Sequence, residues 1–309
     1  MQEKKNKQLL ILFLVLTGIT VGFYGWTVKR DHKEVDLNVF RNFDLKSVDQ
    51  VLLKSDSGEV DLRLDGVQWK VNQTYLADRD MIDVLFATLE KSEPKRPLSG
   101  PQRDSIGHLV EENGIHVTAL SNGEVVLDIF CGGNAQKTQA YFKKAGDEEV
   151  YLMNIPGYRV YVSGIFELPQ SGWRDKYVFG FNWRNFKSLE AQFEDTRKNF
   201  MVQMDDSYFG IAGLEAVDTT RLNDYLDAVS LLTVDDYLQD SSRLAGLKSQ
   251  RPLLNLIVKD IANREYSLQI YSDQQKGNFF GYLNGKEWAR ISRNKLMAIS
   301  HSREFFVRQ

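Results

Sequence analysis

Apolar and polar residues alternate along much of the chain from Ser47 onward. Val51 and Leu53, then Val60, Leu62 and Leu64, fall at every second position, with Gly58 and Gly66 between the runs. A period of two with glycine punctuation predicts short, half-buried strands joined by hairpin turns. Trp69 and Val71 extend the pattern to a break at Asn72-Gln73. There the period changes: Met81, Ile82, Leu85, Phe86 and Leu89 recur at helical spacing behind Asp78. This predicts an amphipathic helix with Asp78 as its N-cap. Ile115–Leu120 and Val125–Phe130 flank a Ser-Asn-Gly turn, a strong hairpin signal, and aromatic-rich strands follow around Tyr141 and Tyr151.

A similar order returns from Ser188. Leu189, Ala191 and Phe193 alternate, a polar turn spans Thr196–Asn199, and Phe200, Val202 and Met204 alternate again. Tyr208, Phe209 and Ile211 stand where the Trp69 strand stood. Val217-Asp218 then opens a helix with Leu222, Tyr225, Leu226 and Val229 on one face. Leu254–Val258 and Tyr266–Tyr271 predict a second hairpin, and aromatic strands run from Phe279 to Trp288. The strings Arg174-Asp175-Lys176-Tyr177-Val178 and Arg303-Glu304-Phe305-Phe306-Val307 close the two stretches. The expected fold class is α+β and β-rich: two tandem homologous units, 47–185 and 186–309, each with three strands, a helix and a β-meander.

The N-terminal segment follows neither period. Leu9 to Trp26 holds no charged residue, Lys4, Lys5 and Lys7 precede it, and Lys29 and Arg30 follow. At the helical rise it spans roughly 27 Å, close to the ~30 Å hydrocarbon core of a bilayer. Tyr24 and Trp26 fall where an interfacial aromatic belt lies. The expectation is a transmembrane helix, with residues 1–30 as Lys-rich start and anchor and 31–46 as a tether. A cleaved signal peptide and a buried soluble helix are the competing readings. The first lacks a convincing small-residue cleavage site, and the second is at odds with a segment that is apolar all round. The short Lys-rich start favours a cytoplasmic N-terminus, with the bulk of the chain outside the cytoplasm.

Charge sharpens this division. The chain of 309 residues carries 39 Lys+Arg against 42 Asp+Glu. Residues 1–30 hold five basic residues and one acidic residue, so the remainder is net acidic. An acidic bulk argues against a nucleic-acid-binding domain. A hydrophobic fraction of 42% excludes disorder, and the single cysteine, Cys131, excludes an internal disulfide framework.

Candidate chemistry is sparse. His32, His108, His116 and His301 stand far apart, and the chain lacks both a second cysteine and a Gly-x-Ser-x-Gly elbow. No metal site, catalytic site or cofactor is expected. The acid pairs Glu111-Glu112, Glu148-Glu149, Asp205-Asp206 and Asp235-Asp236 read as solvated turn or helix-end residues rather than a general acid/base pair. Cys131 reads as a small buried strand-end residue, with a reactive thiol as the sharper alternative. Tyr141, Tyr151, Tyr158 and Tyr161 suit either β-meander packing, the favoured reading, or an exposed recognition patch. Trp173, Arg174, Tyr177, Phe179, Phe181, Trp183 and Arg184 are the candidate partner-binding or inter-repeat surface.

Several features together carry a resemblance. They are the Lys-rich start, the Tyr24-Gly25-Trp26 exit, Trp69-x-Val71, Ala77-Asp78, Asn113-Gly114-Ile115 and Trp173-Arg174-Asp175-Lys176. Over about residues 1–240 the chain resembles a bacterial domain family of unknown function found with gliding-motility-type ABC-transporter auxiliary proteins. One departure is His116-Val117 after Gly114-Ile115, where family members commonly carry a proline. The resemblance implies a non-enzymatic accessory protein on the outer side of the bacterial inner membrane. Its expected partners are the lipid bilayer, through Leu9 to Trp26, and membrane proteins such as ABC-transporter subunits. Tethering would raise its effective concentration at such partners. The alternative is an envelope glycan or small-ligand binder using an aromatic cleft between the two units.

Overall fold

The computed structural model describes residues 2–31, 35–179, 183–205, 208–239, 242–273 and 277–308. Helix α1 (Gln2–Asp31) comes first. Strands β1 (Gln50–Ser55), β2 (Gly58–Asp65), β3 (Gln68–Val71) and β4 (Tyr75–Leu76) lead into α2 (Arg79–Lys91). Next come β5 (Glu93–Pro97) and α3 (Gly100–Asn113), then a meander of β6 (Ile115–Ser121), β7 (Glu124–Gly133), β8 (Ala140–Lys144) and β9 (Val150–Asn154). The short helix α4 (Gln170–Trp173) precedes β10 (Phe186–Phe193), β11 (Phe200–Asp205), β12 (Tyr208–Ile211) and α5 (Thr219–Ser230). The chain continues through β13 (Asp236–Leu238), α6 (Ser242–Leu247), β14 (Leu254–Asp260), β15 (Glu265–Asp273), β16 (Asn278–Leu283), β17 (Glu287–Ile291) and α7 (Arg293–Ile299).

The strands form two antiparallel sheets. Their orders are β4-β3-β2-β1-β6-β7-β8-β9-β5 and β12-β11-β10-β14-β15-β16-β17-β13. Local sequence explains many of the elements. Asn122 and Gly123 both take positive φ, 52° and 84°, as a two-residue hairpin turn requires, and Ser121 pairs with Glu124. Asp78 Oδ1 accepts the backbone N–H of Asp80 at 2.9 Å, and Asp218 caps α5 by accepting that of Arg221 at 3.1 Å. The apolar stripe of α5, formed by Leu222, Tyr225, Leu226 and Val229, is buried. Such helices are held by their packed face more than by propensity.

The chain packs into two units. The first runs up to Asp61 and resumes over Asp83–Glu167; the second comprises Leu62–Ile82 and Leu168–Gln309. In the first unit, alternation along the meander sends side chains to both faces. Tyr141, Leu152 and Phe130 pack with Leu98, Ile106 and Val110 from the α3 region. Val117, Ile129, Cys131 and Phe142 are buried as well. The Phe142 ring meets Phe40 and Phe166 edge-on at 5.6 and 5.8 Å. In the second unit the main core gathers Leu189, Val202, Leu226, Leu256, Ile270 and Phe306. Leu244 and Leu247 of α6 pack with Tyr271, Tyr282 and Trp288 in a separate cluster.

Two sequence expectations need correction. Among the described residues no helix is long and apolar enough to cross a membrane, which overturns the transmembrane helix. From Leu10 to Tyr24 the side chains of α1 are exposed. The side chains of Leu9 and Trp26 lie outside the described residues. Within the run, Thr17 and Thr20 turn their hydroxyls back onto the carbonyls of Phe13 and Leu16, both at 2.8 Å.

The tandem homologous units of three strands, a helix and a β-meander are overturned too. The two packed units are not successive blocks of chain, because Leu62–Ile82 groups with the later residues. Each sheet also ends on a strand that the expected unit of three strands, a helix and a meander did not include, β5 beside β9 and β13 beside β17. The two closing strings are not equivalent either. Arg174 bridges to Ala77, whereas Arg303 opens a 3-10 turn and Val307 makes the bridge to Val217. Alternation reveals that a strand exists and which residues share a face; it does not reveal which strand lies beside it.

Candidate functional site

Of the five described side chains among the seven singled out from sequence, three are interior. Trp173 is 0% exposed, Phe179 belongs to the main core of the second unit, and Arg174 is only 9% exposed. Tyr177 is 51% exposed and its backbone bridges to Thr233; Arg184 is also at the surface. Phe181 lies outside the described residues, as does the side chain of Trp183, whose backbone belongs to a 3-10 turn. For stacking on a sugar ring the described part of the segment offers Tyr177, since Trp173 and Phe179 are packed away.

Arg174 is the most densely engaged of these residues. Its guanidinium lies between the rings of Tyr75 and Tyr237, 3.6 Å from each centroid. Its Nη2 donates to Glu287 Oε2 at 2.7 Å. Aromatic faces and a carboxylate at the edge suit a planar cation, although its buried Nε has no hydrogen-bond partner among the described residues. The backbone joins the same segments: Asp78 N–H donates to the carbonyl of Trp173, and Asp175 N–H to that of Leu76, each at 2.8 Å. Tyr237 donates its hydroxyl to the Asp175 carbonyl at 2.7 Å, and burial pushes that hydroxyl up to about 12. Tyr75, Tyr237 and Glu287 were not legible as partners, because they come from β4, β13 and β17, far apart in sequence.

Burial also raises the Asp175 carboxyl above its usual range, and Asp78 adds like-charge repulsion. Because the folded carboxyl is the weaker acid, its contribution is fully present below the unfolded value of about 3.9 and is lost as pH rises through the folded value. Asp175→Asn keeps an oxygen for the Tyr177 N–H, now at 2.9 Å from Oδ1. At pH 7 the substitution is expected to stabilise by under about 1 kcal/mol, the raised pKa being discounted for solvent screening. At pH 3 it is expected to be neutral. Urea midpoints at the two pH values measure both, and a loss at pH 7 would show that the charged carboxylate is favourable.

The other candidate groups are engaged in ordinary ways. His116 Nε2 lies 2.5 Å from Asp128 Oδ1, with its ring stacked on Phe130 at 4.5 Å. His301 stacks on Phe305 at 3.9 Å, and burial lowers its pKa. Lys143 pairs with Glu111 at 2.6 Å, and Lys295 with Asp235 at 2.7 Å. Cys131 is buried, its thiol 3.5 Å from the Ile115 carbonyl, and burial pushes its pKa well up. That environment disfavours a reactive thiolate. Among the described residues no three His, Cys, Asp or Glu side chains group as metal ligands.

Another exposed aromatic lies in the first unit. Between β9 and a 3-10 turn at Val162–Ile165, residues Pro156, Gly157, Tyr158, Arg159 and Val160 are all exposed. Tyr158 is 65% exposed and Val160 52%. Gly157 supplies a positive φ of 80°, and Tyr158 N–H closes a turn onto the Ile155 carbonyl at 3.0 Å. Of the four tyrosines weighed from sequence, Tyr141 is buried and Tyr151 and Tyr161 are half-buried, which leaves Tyr158 as the displayed one. Pro156-Gly157 was the local signal for such a turn.

No curated protein and no solved structure matches the chain. A family model described as a domain of unknown function, DUF4340, matches residues 69–250. That stretch is more than half of the chain and includes Tyr75, the Tyr158 loop, Arg174 and Tyr237. The protein belongs to the DUF4340 family.

Proposed function

We propose that this protein is a non-catalytic binding module that docks a protein partner through the loop at residues 156–160. The observation that carries the reading is the display of Tyr158, Arg159 and Val160 together on a turn closed by its own hydrogen bond. Tyrosine and arginine dominate the binding energy of protein interfaces, and a pre-formed turn lowers the ordering cost of association. The resemblance to gliding-motility-type ABC-transporter auxiliary proteins favours a transporter subunit as the partner, met on the outer side of the cytoplasmic membrane.

A photo-crosslinking amino acid at position 158 of the full chain, in its native host, tests this. It is expected to yield one dominant adduct with a transporter subunit. Adding Arg159→Glu is expected to reduce that adduct about tenfold or more, since loss of a hot-spot side chain costs about 2 kcal/mol or more. A probe at exposed Val125 serves as the control. Equal adduct patterns from positions 158 and 125 would sink the proposal.

A further inference from the structure

The base of the displayed loop is held by groups from three separate stretches of the first unit. The Tyr161 hydroxyl donates to Glu167 Oε1 at 2.6 Å, and Lys137 Nζ donates to Glu167 Oε2 at 2.5 Å. Lys137 Nζ also stands 5.4 Å from the centroid of the Tyr161 ring. Two glycines make room for that ring: a Cβ on Gly133 would collide with it, and one on Gly164 would approach it to 3.3 Å. Next to the tyrosine, the buried Ser163 hydroxyl donates to the Gly132 carbonyl at 2.7 Å.

Lys137 is itself pre-positioned. Asn134 Oδ1 accepts the backbone N–H groups of Thr138 at 2.8 Å and Gln139 at 3.0 Å, closing a turn in which Lys137 takes a φ of +54°. A β-turn side chain, a carboxylate and a tyrosine thus converge immediately after Val160, and the carboxylate is the group they share. A charged acceptor with two donors makes stronger hydrogen bonds than a neutral one.

We infer that Lys137, Glu167 and Tyr161 form a latch that holds the 156–160 loop in its displayed conformation and thereby sets its affinity for the partner. The affinity part rests on the partner-binding reading above; the latch itself does not. Glu167 and Tyr161 are positioning residues, acting through the loop they hold. Opening of such a segment is a local equilibrium, separate from global unfolding. Release of the latch raises the open population and lowers affinity by the same ordering cost.

Limited trypsin digestion of the full chain reads the open population directly, because Arg159 is a cleavage site inside the loop and cleavage tracks that population when opening is fast. In Tyr161→Phe and Glu167→Gln, cleavage after Arg159 is expected to be about tenfold faster, the scale of one lost charge-assisted hydrogen bond. Cleavage after exposed Lys248 in the second unit should not change. Unchanged cleavage after Arg159 in both variants would overturn the latch. Hydrogen exchange provides the second readout. Faster exchange confined to Tyr158–Val160 supports the latch, and an equal rise throughout β8 overturns it as general destabilisation. If the loop opens in Glu167→Gln and the Tyr158 crosslink falls, both parts of the inference stand. A crosslink that stays constant overturns the affinity part. If the loop opens but the wild-type chain gives no specific crosslink, the partner-binding reading falls and the latch stands.

Discussion

Trp173→Ala is expected to destabilise the protein by about 3–5 kcal/mol, the range for deleting a large aromatic side chain from a packed interior. Trp173 is 0% exposed and is among the largest fully buried side chains of the chain. Its backbone carbonyl accepts the N–H of Asp78, which caps the start of α2. The side chain and backbone therefore hold the same junction, and a cavity there loosens the cap as well. The indole Nε1 has no hydrogen-bond partner among the described residues, so Trp173→Phe removes volume without breaking a bond there. It should cost well under half as much. Urea denaturation followed by circular dichroism measures both; equal losses for alanine and phenylalanine would show that the indole nitrogen does matter, through a bound water.

Arg174→Ala carries the second large effect, about 3 kcal/mol. Truncating one member of a buried ion pair typically costs about 3–5 kcal/mol because the other charge is left unpaired. The lower end applies because Glu287 is one-third exposed and regains water when its partner goes. The two stacked tyrosines then supply a further loss, of about 0.5–2 kcal/mol per cation–π contact, part of which solvent recovers. Arg174→Lys discriminates between charge and shape. Lysine keeps the charge but cannot cover two tyrosine faces and reach a carboxylate at the same time. Most of the loss should persist in that variant. A lysine variant as stable as the wild type would mean that the ion pair with Glu287, rather than the tyrosine sandwich, holds this site.

These adjacent residues show how far sequence reading reached. Trp173 and Arg174 were singled out as part of a partner-binding or inter-repeat surface, because an aromatic and basic stretch has the composition of an interface. The structure buries both side chains. The residues that surround Arg174 lie about one hundred positions before it in one case and more than one hundred after it in another, and nothing local in Tyr75 or Glu287 marks them as its neighbours. The hairpin at Asn122-Gly123 and the helices behind Asp78 and Asp218 were legible, because a positive φ, a cap and a stripe are all short-range requirements. The Tyr158 loop was not singled out, although Pro156-Gly157 is a local signal for a turn. Its exposure beside the buried Tyr141 depended on how the meander packs.

By itself the sequence determined the local elements: which runs alternate, where helices begin, that no disulfide can form within the chain, and that charge divides between a basic start and an acidic remainder. Only the tertiary structure decided strand adjacency, the placement of Leu62–Ile82 with the later residues, the sandwich around Arg174 and which of Tyr141, Tyr151, Tyr158 and Tyr161 is displayed. The physical reason is range. Backbone dihedrals, caps and side-chain period act within a few residues, whereas burial and pairing are settled by every apolar surface competing for cover at once.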